Sequence, residues 1–145
     1  MNEYLNNSLD NPKYLFHGSP WELDIIEKRM SHDSNNNKDN IDNAVFLTSS
    51  FIIASAYAFK DKIKELSKDL DWDFEIGYDD ANNKINISFK NVVIDDNIEG
   101  YIYVFSFNKK YEQSSRIQYK CHENIKPIDV IKIRFKDYKE YYDIN

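Results

Sequence analysis

The chain has 145 residues with a formal charge of −6, a 15% aromatic share and one cysteine, a length suited to a single domain, 1–145, that buries about two thirds of its unfolded surface. The acidic balance excludes broad attraction for nucleic acid, which needs clustered Lys and Arg. Lone Cys121 excludes an internal disulfide and no Cys/His spacing suits zinc, and with no apolar run near the roughly 20 residues of a bilayer span and no signal-peptide pattern at the start, we expect a cytoplasmic protein with no metal and no membrane partner.

In chain order, Lys13 to His17 reads as a short strand. In Phe16-His17-Gly18-Ser19-Pro20, Gly18 is one of three glycines, a scarcity that points to a positive φ or a close main-chain approach. Ser19, Pro20 and Glu22 form a capping-box pattern, which predicts a helix from Pro20 to about Arg29. Ser31 to Asn40 is polar and aperiodic, a loop, and places His32 in solvent. Ala44 to Thr48 reads as a buried strand. Helical periodicity runs from Phe51 to about Leu70, with Lys60 to Lys68 interleaved with acids as a solvated face.

After Asp71 the period becomes two. Trp72 to Tyr78 and Ile85 to Phe89 predict a hairpin across a turn at residues 79–83. Tyr101 to Phe107, apolar on both faces, is a central strand preceded by a turn at Glu99-Gly100. Arg116 to Cys121 and Ile128 to Phe135 complete the strands, with Pro127 at an entry point. The tail, 137–144, suits a final short helix. An early helix-bearing segment followed by antiparallel strands makes the class α+β, with the sheet folding around a cleft. Cys121-His122-Glu123 makes no working dyad, because adjacent strand residues face opposite ways.

Leu15-Phe16-His17-Gly18-Ser19, followed by Ala44-Val45-Phe46-Leu47-Thr48 and a helix carrying Ala54-Ser55-Ala56-Tyr57, resembles the NAD-binding half of ADP-ribosyltransferases. The resemblance is to the diphtheria-toxin and poly(ADP-ribose) polymerase branch and covers about the first 60 residues. It implies mostly antiparallel split sheets around a central cleft with few helices, and NAD as substrate. It gives His17 a ribose hydroxyl, Gly18 a main-chain pairing with the nicotinamide amide, and Tyr57 a stacking role on the nicotinamide ring. Phe46 takes the slot of a first aromatic wall. Ser19, Thr48, Ser49 and Ser55 are further candidates for polar contacts.

An oxocarbenium-like sugar calls for a nearby carboxylate. The family glutamate falls within Ser115 to Lys120, where this chain has no acid. Gln118 is the first candidate for that place and Glu112 the second. The resemblance thus implies transfer of ADP-ribose to an acceptor, protein or nucleic acid, or to water. Two alternatives stay open: a catalytically degenerate module of the same fold that binds a nucleotide or a protein, and an RNA 2′-phosphotransferase-like enzyme, for which the basic residues are few. Each candidate also has a plainer role, His17 as a core histidine and Tyr57 as a packing aromatic.

Overall fold

The structure, a computed structural model, describes residues 3–27, 29–30, 43–79, 81–82 and 84–145. It is an α+β chain with one α-helix, α1 (Phe51–Leu66), among the described residues. The strands are β1 (Tyr14–Ser19), β2 (Arg29–Met30), β3 (Asn43–Thr48), β4 (Asp73–Asp79), β5 (Lys84–Lys90), β6 (Glu99–Ser106), β7 (Glu112–Gln113), β8 (Gln118–Cys121), β9 (Asp129–Arg134) and β10 (Asp143–Ile144). One sheet has the order β7-β8-β3-β1-β6-β9, with β2 pairing with β3, and a second has the order β10-β5-β4. By compactness the chain divides into two units: Met1–His17, Leu23–Phe51 and Tyr103–Val130, and Gly18–Glu22, Ile52–Ile102 and Ile131–Asn145.

In the first unit, Leu15, Phe16, Val45, Leu47, Tyr103, Val104 and Tyr119 are buried; successive strand residues face opposite ways, so β1 and β6 are covered on both faces. Tyr4 stacks against Phe51 and meets Phe16 edge-on, and its hydroxyl donates to the Asp129 carboxylate at 2.7 Å. That hydrogen bond, together with burial, pushes the Tyr4 phenol up to about 12. Asn7 joins the start of β1 to the end of β3. Its Nδ2 donates to the carbonyls of Tyr14 and Ser49, both at 2.9 Å, while its Oδ1 accepts the N–H groups of Lys13 and Tyr14.

In the second unit, Phe59, Phe89, Phe135 and Tyr142 form a buried aromatic cluster, with Phe59 5.3 Å from Phe135 and Phe89 5.5 Å from Tyr142 between ring centroids. The hairpin pairs as expected, from Asp73↔Lys90 through Ile76↔Ile87 to Asp79↔Lys84. Gly18 and Gly100 explain one another through α1, where Ala54 and Ala58 lie one turn apart on one face. A Cβ on Gly18 would sit 2.0 Å from the Ala54 carbonyl oxygen, and one on Gly100 2.8 Å from the Ala58 Cβ. No glycine has a positive φ, so close approach of the main chain, the second of the two reasons considered, accounts for Gly18.

Four element predictions are corrected. The helix from Pro20 is absent over the described residues 20–27; Ser19 ends β1, and its hydroxyl accepts the Trp21 N–H instead of one further on. A capping box contributes only about 1 kcal/mol. With Trp21, Leu23 and Ile25 exposed, this segment has no apolar stripe to bury, and Ile26 instead pairs with Ile125. Glu99-Gly100 lies inside β6, and the turn falls earlier, where the Ile98 N–H returns to the Asp95 carbonyl; Gly100 is there for its fit against Ala58.

Helix α1 stops at Leu66 rather than Leu70, both of which are exposed. Past its end, buried Ser67 accepts the Val93 N–H, which anchors the departing chain. The tail forms two short 3-10 turns, Phe135–Asp137 and Lys139–Tyr141, and then β10, parallel to β5. Its anchor is the Tyr142 ring in the aromatic cluster, a tertiary contact that local pattern does not contain. The polar loop with His32 lies outside the described residues.

Candidate functional site

In the first unit, β3 is flanked by β1 and β8. It meets β8 through Phe46↔Lys120 and Thr48↔Gln118, and β8 meets β7 through Glu112↔Lys120. Directly opposed residues of antiparallel strands share a face. Phe46, Thr48, Gln118, Lys120 and Glu112 therefore stand on one face of these strands, so four of the residues singled out in the sequence come together there. Phe46 and Gln118 are half-buried, Glu112 is exposed, and Lys120 is only 5% exposed with its ammonium 5.8 Å from the Phe46 ring centroid.

His17 reaches this region through the main chain. β1 is in register with β3 at Phe16↔Thr48, and alternation sends the His17 side chain off the face that Phe16 shares. Its Nδ1 lies 2.9 Å from the Phe46 carbonyl oxygen. A carbonyl only accepts, so Nδ1 carries the proton and, in the neutral ring, Nε2 is the acceptor. Phe46 is thus held from two sides, its carbonyl by an imidazole and its ring beneath an ammonium.

Thr48 and Ser49 close β3. The Thr48 hydroxyl accepts the Ser50 N–H at 3.1 Å. Ser49 is fully buried; its N–H goes to the Ile117 carbonyl and its own carbonyl takes Asn7, whereas its hydroxyl has no hydrogen-bond partner among the described residues. An orphaned buried hydroxyl costs about 1–3 kcal/mol. Ser49→Ala is therefore expected to leave the melting temperature unchanged or raise it, and a loss of more than about 1 kcal/mol in denaturant unfolding would contradict this.

Gln118 contributes its carbonyl to a tight turn, accepting from the Ser114 and Ser115 N–H groups. No acid stands at this point of β8. The Glu112 carboxylate lies 4.0 Å from His122 Nδ1, at the outer end of the row. Arg116 makes a two-point contact with Asp10, Nε to Oδ1 and Nη2 to Oδ2, which holds the Asp10 carboxyl below its usual range. Cys121 is buried, its Sγ 3.5 Å from the Glu123 carbonyl oxygen, while His122 and Glu123 are exposed.

The remaining candidates belong to the second unit. Ser19 is buried and accepts from Trp21. Ser55 donates to the Ile52 carbonyl at 2.6 Å and therefore accepts from the Tyr142 hydroxyl, so its hydroxyl is used within the core. Burial pushes the Tyr142 phenol well up. Tyr57 is 46% exposed on α1, edge-on to Phe74 at 5.7 Å, with the Lys60 ammonium over both rings.

Two residues that matter to the site were not singled out in the sequence. The signal for Lys120 was present, since it lies two positions from Gln118 on an alternating strand and so shares its face. For Asn7 there was none, because nothing local distinguishes it from Asn6 or Asn11. Among the described residues, no group of three or more His, Cys, Asp or Glu side chains is placed to hold a metal ion, and no helix is long and apolar enough to cross a membrane. Compared with known proteins, the chain matches no family model, no curated sequence and no solved structure.

Proposed function

We propose that this chain is an ADP-ribosyltransferase-like protein that binds NAD, breaks its nicotinamide–ribose bond and passes ADP-ribose to an acceptor or to water. The proposal includes the split-sheet fold of that family. The observation that carries it is the His17 contact to β3: the Phe46 carbonyl fixes the proton on Nδ1 and leaves Nε2 as the acceptor. Nε2 is buried in the structure, and the fixed tautomer sets the sense in which a ribose hydroxyl reaching it would be received, the role the resemblance gives this histidine. On the face of β3 turned away from the His17 side chain, half-buried Phe46 offers an aromatic ring, and Thr48, whose oxygen already accepts from Ser50, retains its O–H to donate.

In the reaction the C1′–N bond breaks and its electron pair leaves with nicotinamide. The acceptor then attacks C1′ and gives up its proton. Gln118 would face the cationic sugar with a neutral amide oxygen, a weaker stabiliser than a carboxylate. That substitution favours one second reading, a module that binds the nucleotide without turning it over. The two-point hold of Asp10 on Arg116 tells against the RNA 2′-phosphotransferase, which would draw on such a cation for phosphate.

Nicotinamide release from NAD tests the proposal. The unaltered chain is expected to release nicotinamide, and His17→Ala to slow it at least about tenfold, the equivalent of one strong hydrogen bond. A melting shift with ADP-ribose but no release would establish the module instead. The absence of both release and shift would overturn both readings.

A further inference from the structure

We infer that the outer edge of β4 is a docking site for an extended peptide bearing lysine or arginine, which adds to the β10-β5-β4 sheet as a further strand. Among the described residues β4 is an edge strand of that sheet, whereas β5 is flanked on both sides. The Asn145 N–H donates to the Phe89 carbonyl at 2.9 Å, so the main-chain groups of Phe89 point toward β10 and away from β4. Phe89 is in register with Phe74, and the pairing continues without a break to Ile76↔Ile87. Phe74 and Ile76 therefore occupy the positions of the antiparallel ladder that exchange no bonds with β5, and their N–H and C=O groups project outward. Such a row is a template for another strand.

The side chains along this edge select the strand that fits. Asp73, Glu75, Gly77 and Asp79 share one face of β4. Glu75 is exposed there, and among the described residues nothing lies within 4 Å of where a Gly77 Cβ would stand. Asp73 and Asp79 lie opposite Lys90 and Lys84 of β5, but Glu75 lies opposite uncharged Ser88. A second copy of β4 fits badly. Antiparallel registers centred on Glu75, Ile76 or Gly77 set Glu75 against Glu75, Asp73 against Asp79, or Glu75 against Asp79, and like charges directly opposed are destabilising. A strand with Lys or Arg at alternate positions turns each of these repulsions into an attraction.

Hydrogen exchange of the full chain, read residue by residue by NMR, tests this. The probes are a peptide of alternating lysine and valine, its glutamate–valine counterpart, and the lysine peptide N-methylated at its valines, whose N–H groups would meet Phe74 and Ile76. In the free chain the Phe74 and Ile76 amides should exchange faster than those of Glu75 and Gly77, which bond to β5. The lysine peptide is expected to slow Phe74 and Ile76 by about tenfold or more at saturation, and the other two peptides to leave them unchanged. Glu75→Lys should weaken the lysine peptide about fivefold or more. Circular dichroism confirms that this variant folds, and if it does not, the N-methylated peptide decides.

Failure of the lysine peptide to bind, equal binding of any two of the three peptides, or protection that misses Phe74 and Ile76 would overturn the inference. Slow exchange of both amides in the free chain would overturn it too, by showing the edge already covered. Protection that grows with the concentration of the chain alone would assign the edge to a second copy instead.

Discussion

Gly18→Ala is expected to destabilise the chain by at least about 3 kcal/mol, a large part of the about 5–15 kcal/mol that holds an ordinary domain folded. The new methyl carbon would sit 2.0 Å from the Ala54 carbonyl oxygen and 2.8 Å from the Ala58 nitrogen. Both neighbours are helix main chain, which cannot rotate aside as a side-chain tip can. Relief requires α1 to move by more than an ångström, at the expense of the contacts that bury Ala54, Ala58 and Phe59. Gly77 supplies the control: among the described residues nothing lies within 4 Å of where its Cβ would stand, so Gly77→Ala should be neutral or mildly stabilising in a strand. Chemical denaturation of the two variants side by side checks the pair. Equal stability would show that Gly18 is not closely packed.

Asn7→Ala is expected to cost about 2–4 kcal/mol, far more than its half-buried position near the start of the chain suggests. Its side chain makes four hydrogen bonds, all to main-chain groups, and removing it strips the carbonyls of Tyr14 and Ser49 of a donor and the N–H groups of Lys13 and Tyr14 of an acceptor. Each lost bond is worth about 0.5–1.5 kcal/mol net, and main-chain groups left unsatisfied away from water add to that. Because Asn7 ties the beginning of β1 to the end of β3, the variant should also loosen the segment that carries His17. Hydrogen exchange at Phe16 and Leu47 would report this as faster opening. Asn11→Ala, exposed and nearby, should stay within about 0.5 kcal/mol of the parent. A similar small change for Asn7→Ala would mean that water replaces the side chain without loss.

The legible parts of the chain were those where one local period dominates. The hairpin could be read because Phe74, Ile76 and Tyr78 alternate with polar residues and the partner strand answers through Ile85, Ile87 and Phe89, and it pairs in that register. Helix α1 could be read from its apolar spacing up to Leu66; beyond that the apolar pattern continues, but Leu66 and Leu70 face solvent and the chain is held elsewhere by Ser67. The capping-box helix failed for the opposite reason: a local signal of about 1 kcal/mol was present, but no buried face supported it.

For the candidate site, strand alternation was enough to relate Phe46 to Thr48 and Gln118 to Lys120, since each pair lies two residues apart. That these two pairs share a face depended on the pairing of β3 with β8, Phe46 with Lys120 and Thr48 with Gln118, across 70 or more positions of sequence. The tautomer of His17 likewise followed only from the carbonyl of a residue 29 positions away.

By itself, then, the amino-acid order determined the α+β class, the hairpin, the central strand, helix α1 and the scarcity that made Gly18 worth explaining, because period and composition act over a few residues. Tertiary structure alone decided that Gly18 serves a close approach to α1, that Lys120 is buried beside Phe46, and that Asn7 joins two strands. These depend on which distant segments pack together, and the free energy that selects the packing is spread over the whole core rather than written in any one stretch.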